Sequence, residues 1–472
     1  MYEEATAVLA DFAAALTYEA IPQRVRDGCK DLLMDALACA VAGHAGEETH
    51  QLVALSSALA QSRESTVIGG DRLSLAGATM LNGYLITAVT MCDAHRSTMT
   101  HITPEVVPPA LAIAERDRLS GRELLVALAA GFEVTTRIGI GVDFPEFRAR
   151  GWHGPGIFGP FGAAAAVGRL LRFDADAMAR AFGLAGSQAA GTFAAWGTPT
   201  VKFHQCRAAL SGLMAALLAN EKFVATREFL TARDGGLYNS YVSGGHPERA
   251  TAGIGKHWEL EQVALRLWPA ASSIQGMITA MFDIVEKQKV DPAQVKVVRI
   301  ALSPPVFDLH GNFAKYKAKF EALLSAHYVA AAILHDRALT LAQFEPQRYD
   351  DPTLRRFAER VEVRAEPGLR GVAALVDIDT VGGATLSSRC DQPLGAPENR
   401  LSRPQIAAKF RAYAPGRFSR RQIEDVIGAV VRLEHLPSVC VLMDMLRAPQ
   451  HASDGRAPDW RGSHAHLERP HP

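Results

Sequence analysis

Cysteine is scarce. The six residues (Cys29, Cys39, Cys92, Cys206, Cys390 and Cys440) are scattered over 472 positions, and no pair has CxxC spacing, so neither a zinc site nor a redox pair is signalled. Net charge is missing too. Fifty Lys and Arg balance fifty Asp and Glu, so there is no footprint of nucleic-acid binding and no polybasic membrane surface. A small anionic substrate stays open, because a local cationic pocket needs no global charge. The longest apolar stretches are interrupted by Gly, Asn or His and do not read as membrane spans. The opening MYEEATAVLADF has no basic segment ahead of an apolar one, so no signal peptide is read and the expected location is cytoplasmic, with reduced thiols. Nucleotide and hydrolase signatures are also lacking. GWHGPGIFG (151–159) has no Lys-Ser or Lys-Thr after it and no strand before it, and neither HExxH nor GxSxG occurs.

What is present is a globular composition, 48% hydrophobic and 21% charged, in a chain long enough for two domains. Helical periodicity dominates to about Leu260. IPQRVRDGCKDLLMDALACAVAG sets Val25, Cys29, Leu32, Leu33 and Leu37 on one apolar face, with Pro22 at the start and Gly43 at the stop. Ser120 and Glu123 form a capping box for the helix that follows. Many of these helices are rich in Ala and Gly, which predicts close packing of their axes. The texture changes near Trp268. VKVVRIALS, RVEVRAE, VAALVDID and ATLSSRCD read as strands among helices, an α+β unit with an antiparallel sheet. After PLGAPENRLS the pattern is helical again. The expected division is therefore helical over 1–262, α+β over 263–398, and helical over 399–448 as a return to the first body. A polar tail over 449–472, with His451, His464, His466 and His471, is expected to be disordered.

Three stretches carry candidate chemistry. Asp93, His95, Arg96, Thr98, Thr100, His101 and Thr103 fall within eleven residues between two apolar helical runs. That is either a site or a solvated loop that caps helices, and spacing alone favours neither. Pro104, Pro108 and Pro109 are expected to keep the following segment from being a plain helix until about Ala110. Lys202, His204 and Arg207 open another small-residue helix. Their charge opposes the helix dipole, which is easier to understand if they face an anion, although ordinary surface charge is the simpler reading. His327 and Tyr328 sit in an apolar helical stretch and read first as core, with Lys315, Lys317 and Lys319 on a solvated face. A cofactor-free set of His, Tyr, Lys and Arg suits proton transfer at a carbon next to a carboxylate, where cations stabilise enolate-like charge and histidine titrates near neutrality.

Together these stretches resemble the MmgE/PrpD family, which includes 2-methylcitrate dehydratase, cis-aconitate decarboxylase and iminodisuccinate epimerase. The similarity runs through IPQRVRDGCKDLLMDALACAVAG, NGYLITAVTMCDAH, HITPEVVPPALAIAE, GWHGPGIFGPFGAAAAVGRLL, GLAGSQAAG, HQCRAALSG, LWPAASSIQG and PLGAPENRLS, in the family order and over roughly residues 5–447. It implies a mainly α fold, with a large helical domain built from both chain ends and a smaller α+β lid. It also implies a homodimer, no cofactor or metal, and a site between the domains for a small anionic carboxylate. By position, His101 and His153 match family site histidines and Tyr328 a site tyrosine, while Asp93 and His95 fall in the family's acidic loop. Several positions depart from the pattern. The loop's first acid is Thr90, the family lysine position is Val201 with Lys202 one residue on, a further histidine is Gln275, and the usual Pro-Thr after His153 is Gly154–Pro155. The resemblance implies a lyase working by dehydration or decarboxylation. His101, His153, Lys202 and Tyr328 would be its catalytic groups, and Asp93, His95, Arg96, His204, Arg207 and Gln275 its substrate contacts. An epimerase of an amino- or imino-dicarboxylate is the alternative, and a non-catalytic carboxylate binder ranks last.

Overall fold

A computed structural model describes residues 5–288, 290–312 and 314–448. The tail over 449–472 and its histidines lie outside the described residues. The chain is mainly helical, and its apolar residues form two large cores. One core draws on residues from Ala5 to Val263 and again from Leu401 to Leu446. The other is built almost wholly from residues between Leu267 and Cys390.

The first core holds α1 (Gln23–Gly43), α2 (Leu75–Thr87), α3 (Ile102–Arg116), α4 (Gly121–Ile140), α5 (Gly154–Leu170) and α6 (Thr200–Asn220). The small residues do set the spacing. A Cβ on Gly162 would fall 1.8 Å from Thr135 Oγ1, and one on Gly212 would fall 2.5 Å from the Pro160 carbonyl, so α5 packs against α4 and α6 nearly backbone to backbone. The Ser120–Glu123 capping box forms as expected. The proline expectation fails: α3 is helical from Ile102 and carries Pro108 and Pro109 inside it. All but its last residue are buried, and packing on every side outweighs the two hydrogen bonds the prolines remove.

The second core is layered on a four-stranded sheet. Its strands are β1 (Val295–Leu302), β2 (Val361–Ala365), β3 (Ala374–Thr380) and β4 (Thr385–Cys390), in the order β2-β1-β3-β4. Two pairings are antiparallel, with Ile300 opposite Val376 and Ile378 opposite Leu386. The β1–β2 pair is parallel, with Ile300 opposite Val363, so the sheet is mixed rather than purely antiparallel. The long helical connection between β1 and β2 makes this possible, since a parallel return needs a crossover. α7 (Gln275–Gln288) packs on this sheet.

α8 (Arg403–Tyr413) returns to lie on α1. Lys409 on α8 is fully buried. Its Nζ donates to Asp35 Oδ1 on α1 (2.6 Å) and to the carbonyls of Met91 (2.9 Å) and Arg266 (2.8 Å). One ammonium thus pins the chain on both sides of a short ribbon in which Ala94–His95 pairs with Val263–Ala264. That ribbon carries the chain from one core to the other.

Candidate active site

A cleft of about 590 Å³ lies between the two cores. The first core contributes Arg96, His101, Arg148, His153 and Lys202, and the second contributes Ser273, Phe320 and Arg370 among others. This is within the usual size of a small-molecule site.

His101 and His153 occupy equivalent places. Each is the residue just before a buried helix, α3 and α5, with extended backbone at φ −117° and −113°. The chain turns sharply there, which aims both imidazoles into the cleft. Asp93 builds the first turn: its buried carboxylate accepts from the backbone N–H of Ile102 (2.8 Å) and Thr103 (3.1 Å) and from the Thr103 hydroxyl. Burial raises the Asp93 carboxyl to about 6, against those hydrogen bonds. His101 Nδ1 meets the Asp93 carbonyl at 2.5 Å, so Nδ1 carries the proton and Nε2 keeps its lone pair. Burial, helped by Arg266, lowers the His101 ring to about 3. His153 Nδ1 lies 2.9 Å from His204 Nδ1, with one proton between them. Burial first, then the charges of His204, His101 and Arg148, hold His153 well below the usual histidine range. Both cleft imidazoles are neutral at neutral pH.

Lys202 is not surface charge. It is 5% exposed, its Nζ donates to the Ala88 carbonyl at 2.7 Å, and it lies 3.7 Å from Glu48 and 4.7 Å over the Phe320 ring. The one-residue displacement from Val201 therefore still brings a lysine into the wall. Burial lowers its pKa. Lys319 is buried as well and pairs with Glu345 at 3.2 Å, so it does not share the solvated face expected of the three lysines.

Arg96 and Arg148 complete the cationic side. Both are half-buried, and among the described residues neither guanidinium has a hydrogen-bond partner in the protein. Arg148 lies 3.2 Å over the Phe193 ring. Burial lowers the pKa of both. Glu398, also in the cleft lining, offsets part of that effect at Arg96, whereas nothing offsets it at Arg148. A desolvated cation without an anion is costly, and a carboxylate bound at Arg148 would offset that cost. The loop between α2 and α3 is strained at the same place. Thr90 and Met99 both line the cleft with φ of 57° and 50°, a region that residues other than glycine rarely occupy, least of all a β-branched one such as Thr90.

Other expected contacts are placed elsewhere. His95 is buried behind the cleft, bonded to Thr98 (2.9 Å) and Glu259 (3.3 Å). Arg207 spends its donors on the carbonyls of Gln188, Gly156 and Ala190 and on Ser211, holding the loop beside His153 rather than an anion. His204 reaches the cleft only through His153. The Gln275 amide nitrogen donates to the carbonyls of Trp268, Ala270 and Ala271. Tyr328 is fully buried, with its hydroxyl on the Gln343 carbonyl and its ring against Tyr316, and it does not line the cleft. Sequence reasoning missed Arg148, whose one signal was its place five residues before His153. It also missed Arg266, which is 3% exposed and donates to the Cys92 carbonyl (2.5 Å) and thiol (3.2 Å), and Ser273. Among the described residues no helix is long and apolar enough to cross a membrane, and no cluster of three His, Cys, Asp or Glu could hold a metal.

Comparison with known proteins agrees with the motif pattern. The sequence family described as MmgE/PrpD N-terminal domain matches residues 7–250, and MmgE/PrpD C-terminal domain matches 268–433. A cis-aconitate decarboxylase-like protein of Aspergillus oryzae is 28% identical over 470 residues, covering 93% of this chain and 97% of that protein. Cis-aconitate decarboxylase of Aspergillus terreus is 25% identical over 474 residues (94% and 96% covered). That of Homo sapiens is 26% identical over 444 residues (91% and 92%).

Proposed function

The chain belongs to the MmgE/PrpD family, and from that premise we propose that it is a cofactor-independent lyase of small di- or tricarboxylates, acting by proton transfer at a carbon next to a carboxylate. One observation carries the reading. A single cleft joins two guanidiniums that, among the described residues, have no hydrogen-bond partner in the protein to two imidazoles whose pKa burial lowers. The relatives' names support a carboxylate lyase.

Arg96, Arg148 and Lys202 hold the substrate carboxylates and stabilise the enolate-like charge that develops. The His101 Nε2 lone pair takes the proton from carbon, because Nδ1 is committed to the Asp93 carbonyl. With the shared proton on His204, His153 presents Nε2–H to the cleft and serves as the acid. When water departs, the C–H pair forms the new C=C bond, the C–O bond breaks, and the oxygen leaves with the proton of His153. When carbon dioxide departs, the C–C pair stays on carbon, which takes that proton instead. The same reading makes the protein a cytoplasmic homodimer, which sedimentation and cell fractionation test.

The decisive experiment is proton NMR in D₂O with 2-methylcitrate, cis-aconitate and N-substituted aspartates. A vinyl signal, or substrate loss with carbon dioxide release, is the expected result. Exchange of an α-proton without a new double bond means an epimerase and refutes the lyase. His101→Gln should lower kcat by about 10²–10⁴. Near-normal turnover in that variant removes His101 from the mechanism.

A further inference from the structure

Ser273 stands in the cleft wall contributed by the second core, in the short turn Ser272–Ile274 that leads into α7. It is 7% exposed. Its Oγ lies 2.5 Å from His310 Nε2, and His310 Nδ1 lies 2.8 Å from the Leu324 carbonyl. The His310 ring is fully buried and is held edge-on by Trp196, 6.1 Å away between ring centroids.

These contacts fix the direction of every proton. A carbonyl oxygen can only accept, so His310 Nδ1 carries the hydrogen. His310 Nε2 therefore has only a lone pair, and the Ser273 hydroxyl must donate to it. Burial keeps the ring neutral, lowering it to about 4. The hydrogen of Ser273 is spent, and its oxygen retains free lone pairs beside the cleft. Among the described residues no donor reaches Ser273 Oγ. Such a serine repels a carboxylate oxygen and attracts a donor. Thr279, one turn into α7, shows the alternative, its hydroxyl donating to the Gln275 carbonyl.

We propose that Ser273, locked by His310, is a hydrogen-bond acceptor subsite that selects substrates carrying a hydroxyl as well as carboxylates. The proposal rests on the carboxylate-lyase reading and deepens it. A hydroxylated substrate of such a lyase loses water: the C–H proton goes to His101, the C=C bond forms, and the C–O bond breaks with protonation by His153. Ser273 accepts from the departing hydroxyl beforehand and turns its lone pair toward that acid.

The test uses two probes of binding, citrate and tricarballylate, which have the same three carboxylates and differ by one hydroxyl; proton NMR of the titrated sample accounts for any citrate that is dehydrated. Calorimetric titration of the full chain should show citrate binding at least tenfold more tightly. Ser273→Ala should bring the two within twofold. His310→Ala, which frees the serine hydrogen to donate, should also erase the preference and tighten tricarballylate. Equal binding by the unaltered protein overturns the subsite, whether or not the variants fold, and so does a preference that survives Ser273→Ala. Tricarballylate binding without a citrate preference sinks this proposal alone. Failure of both acids to bind sinks the carboxylate reading together with it.

Discussion

Arg148→Met separates a cation kept for a ligand from one kept for the fold. The guanidinium is half-buried over Phe193, and among the described residues it has no hydrogen-bond partner in the protein. Removing it gives up a cation–π contact worth about 0.5–2 kcal/mol. It also relieves the desolvation of an unpaired charge, which acts in the opposite sense. The two effects largely cancel, so folding stability should change by less than about 1 kcal/mol. A bound carboxylate has no such compensation. Losing a hydrogen bond to a charged group costs about 1.5–3 kcal/mol, which weakens binding about 10- to 150-fold. The assay is calorimetric titration with tricarballylate alongside thermal unfolding of the same preparations. A dissociation constant within twofold of the unaltered protein refutes the assignment. So does a large fall in melting temperature, because Arg148 would then be holding structure.

Three further outcomes are expected. The profile of kcat/KM should carry a limb near pH 6 from the Asp93 carboxyl that builds the His101 turn and none from His101 itself, because burial lowers that ring from 6.5 to about 3 and keeps Nε2 free; a limb near 6.5 that persists in Asp93→Asn would show an ordinary exposed imidazole. The same depression makes folding stability present above about pH 6.5 and progressively lost as pH falls below it, where the unfolded ring protonates first. Lys409→Met should destabilise by about 3–5 kcal/mol in urea titration, since it strands the Asp35 carboxylate at zero exposure, and the double change with Asp35→Leu should recover most of that loss. Gly162→Ala should cost about 1–3 kcal/mol by overpacking against Thr135, and little change would show that α4 and α5 can separate freely.

Local rules were readable in the chain where one residue type has one physical role. The Ser120 cap, the glycine-lined helix contacts and the β-branched strands all follow from such rules. His101 and His153 stood out because each sat among turn-forming residues ahead of an apolar run, and both line the cleft. Tertiary context decided the rest. Pro108 and Pro109 sit inside α3 because the helix is buried on every side. Lys202 looked like surface charge because one sequence cannot show that Ala88 and Glu48 lie across from it. Arg207 read the same way, with an anion as the alternative, yet it binds carbonyls of α5 and of the loop at 188–190. The Ser273–His310 pair joins residues 37 apart through a turn and a helix end, a spacing that no local pattern encodes.

The grip of Lys409 on the carbonyls of Met91 and Arg266 has a consequence for how the protein is made. Synthesis runs from the N-terminus, and every residue lining the cleft leaves the ribosome before α8 does. Until Lys409 arrives, Asp35 has no counter-ion and the ribbon between the cores is untethered. A nascent chain paused just before Arg403 would carry all of its chemistry and none of the clasp that closes it. Completion of translation is thus a step in building the cleft, and a chain truncated there should reach a chaperone rather than a substrate.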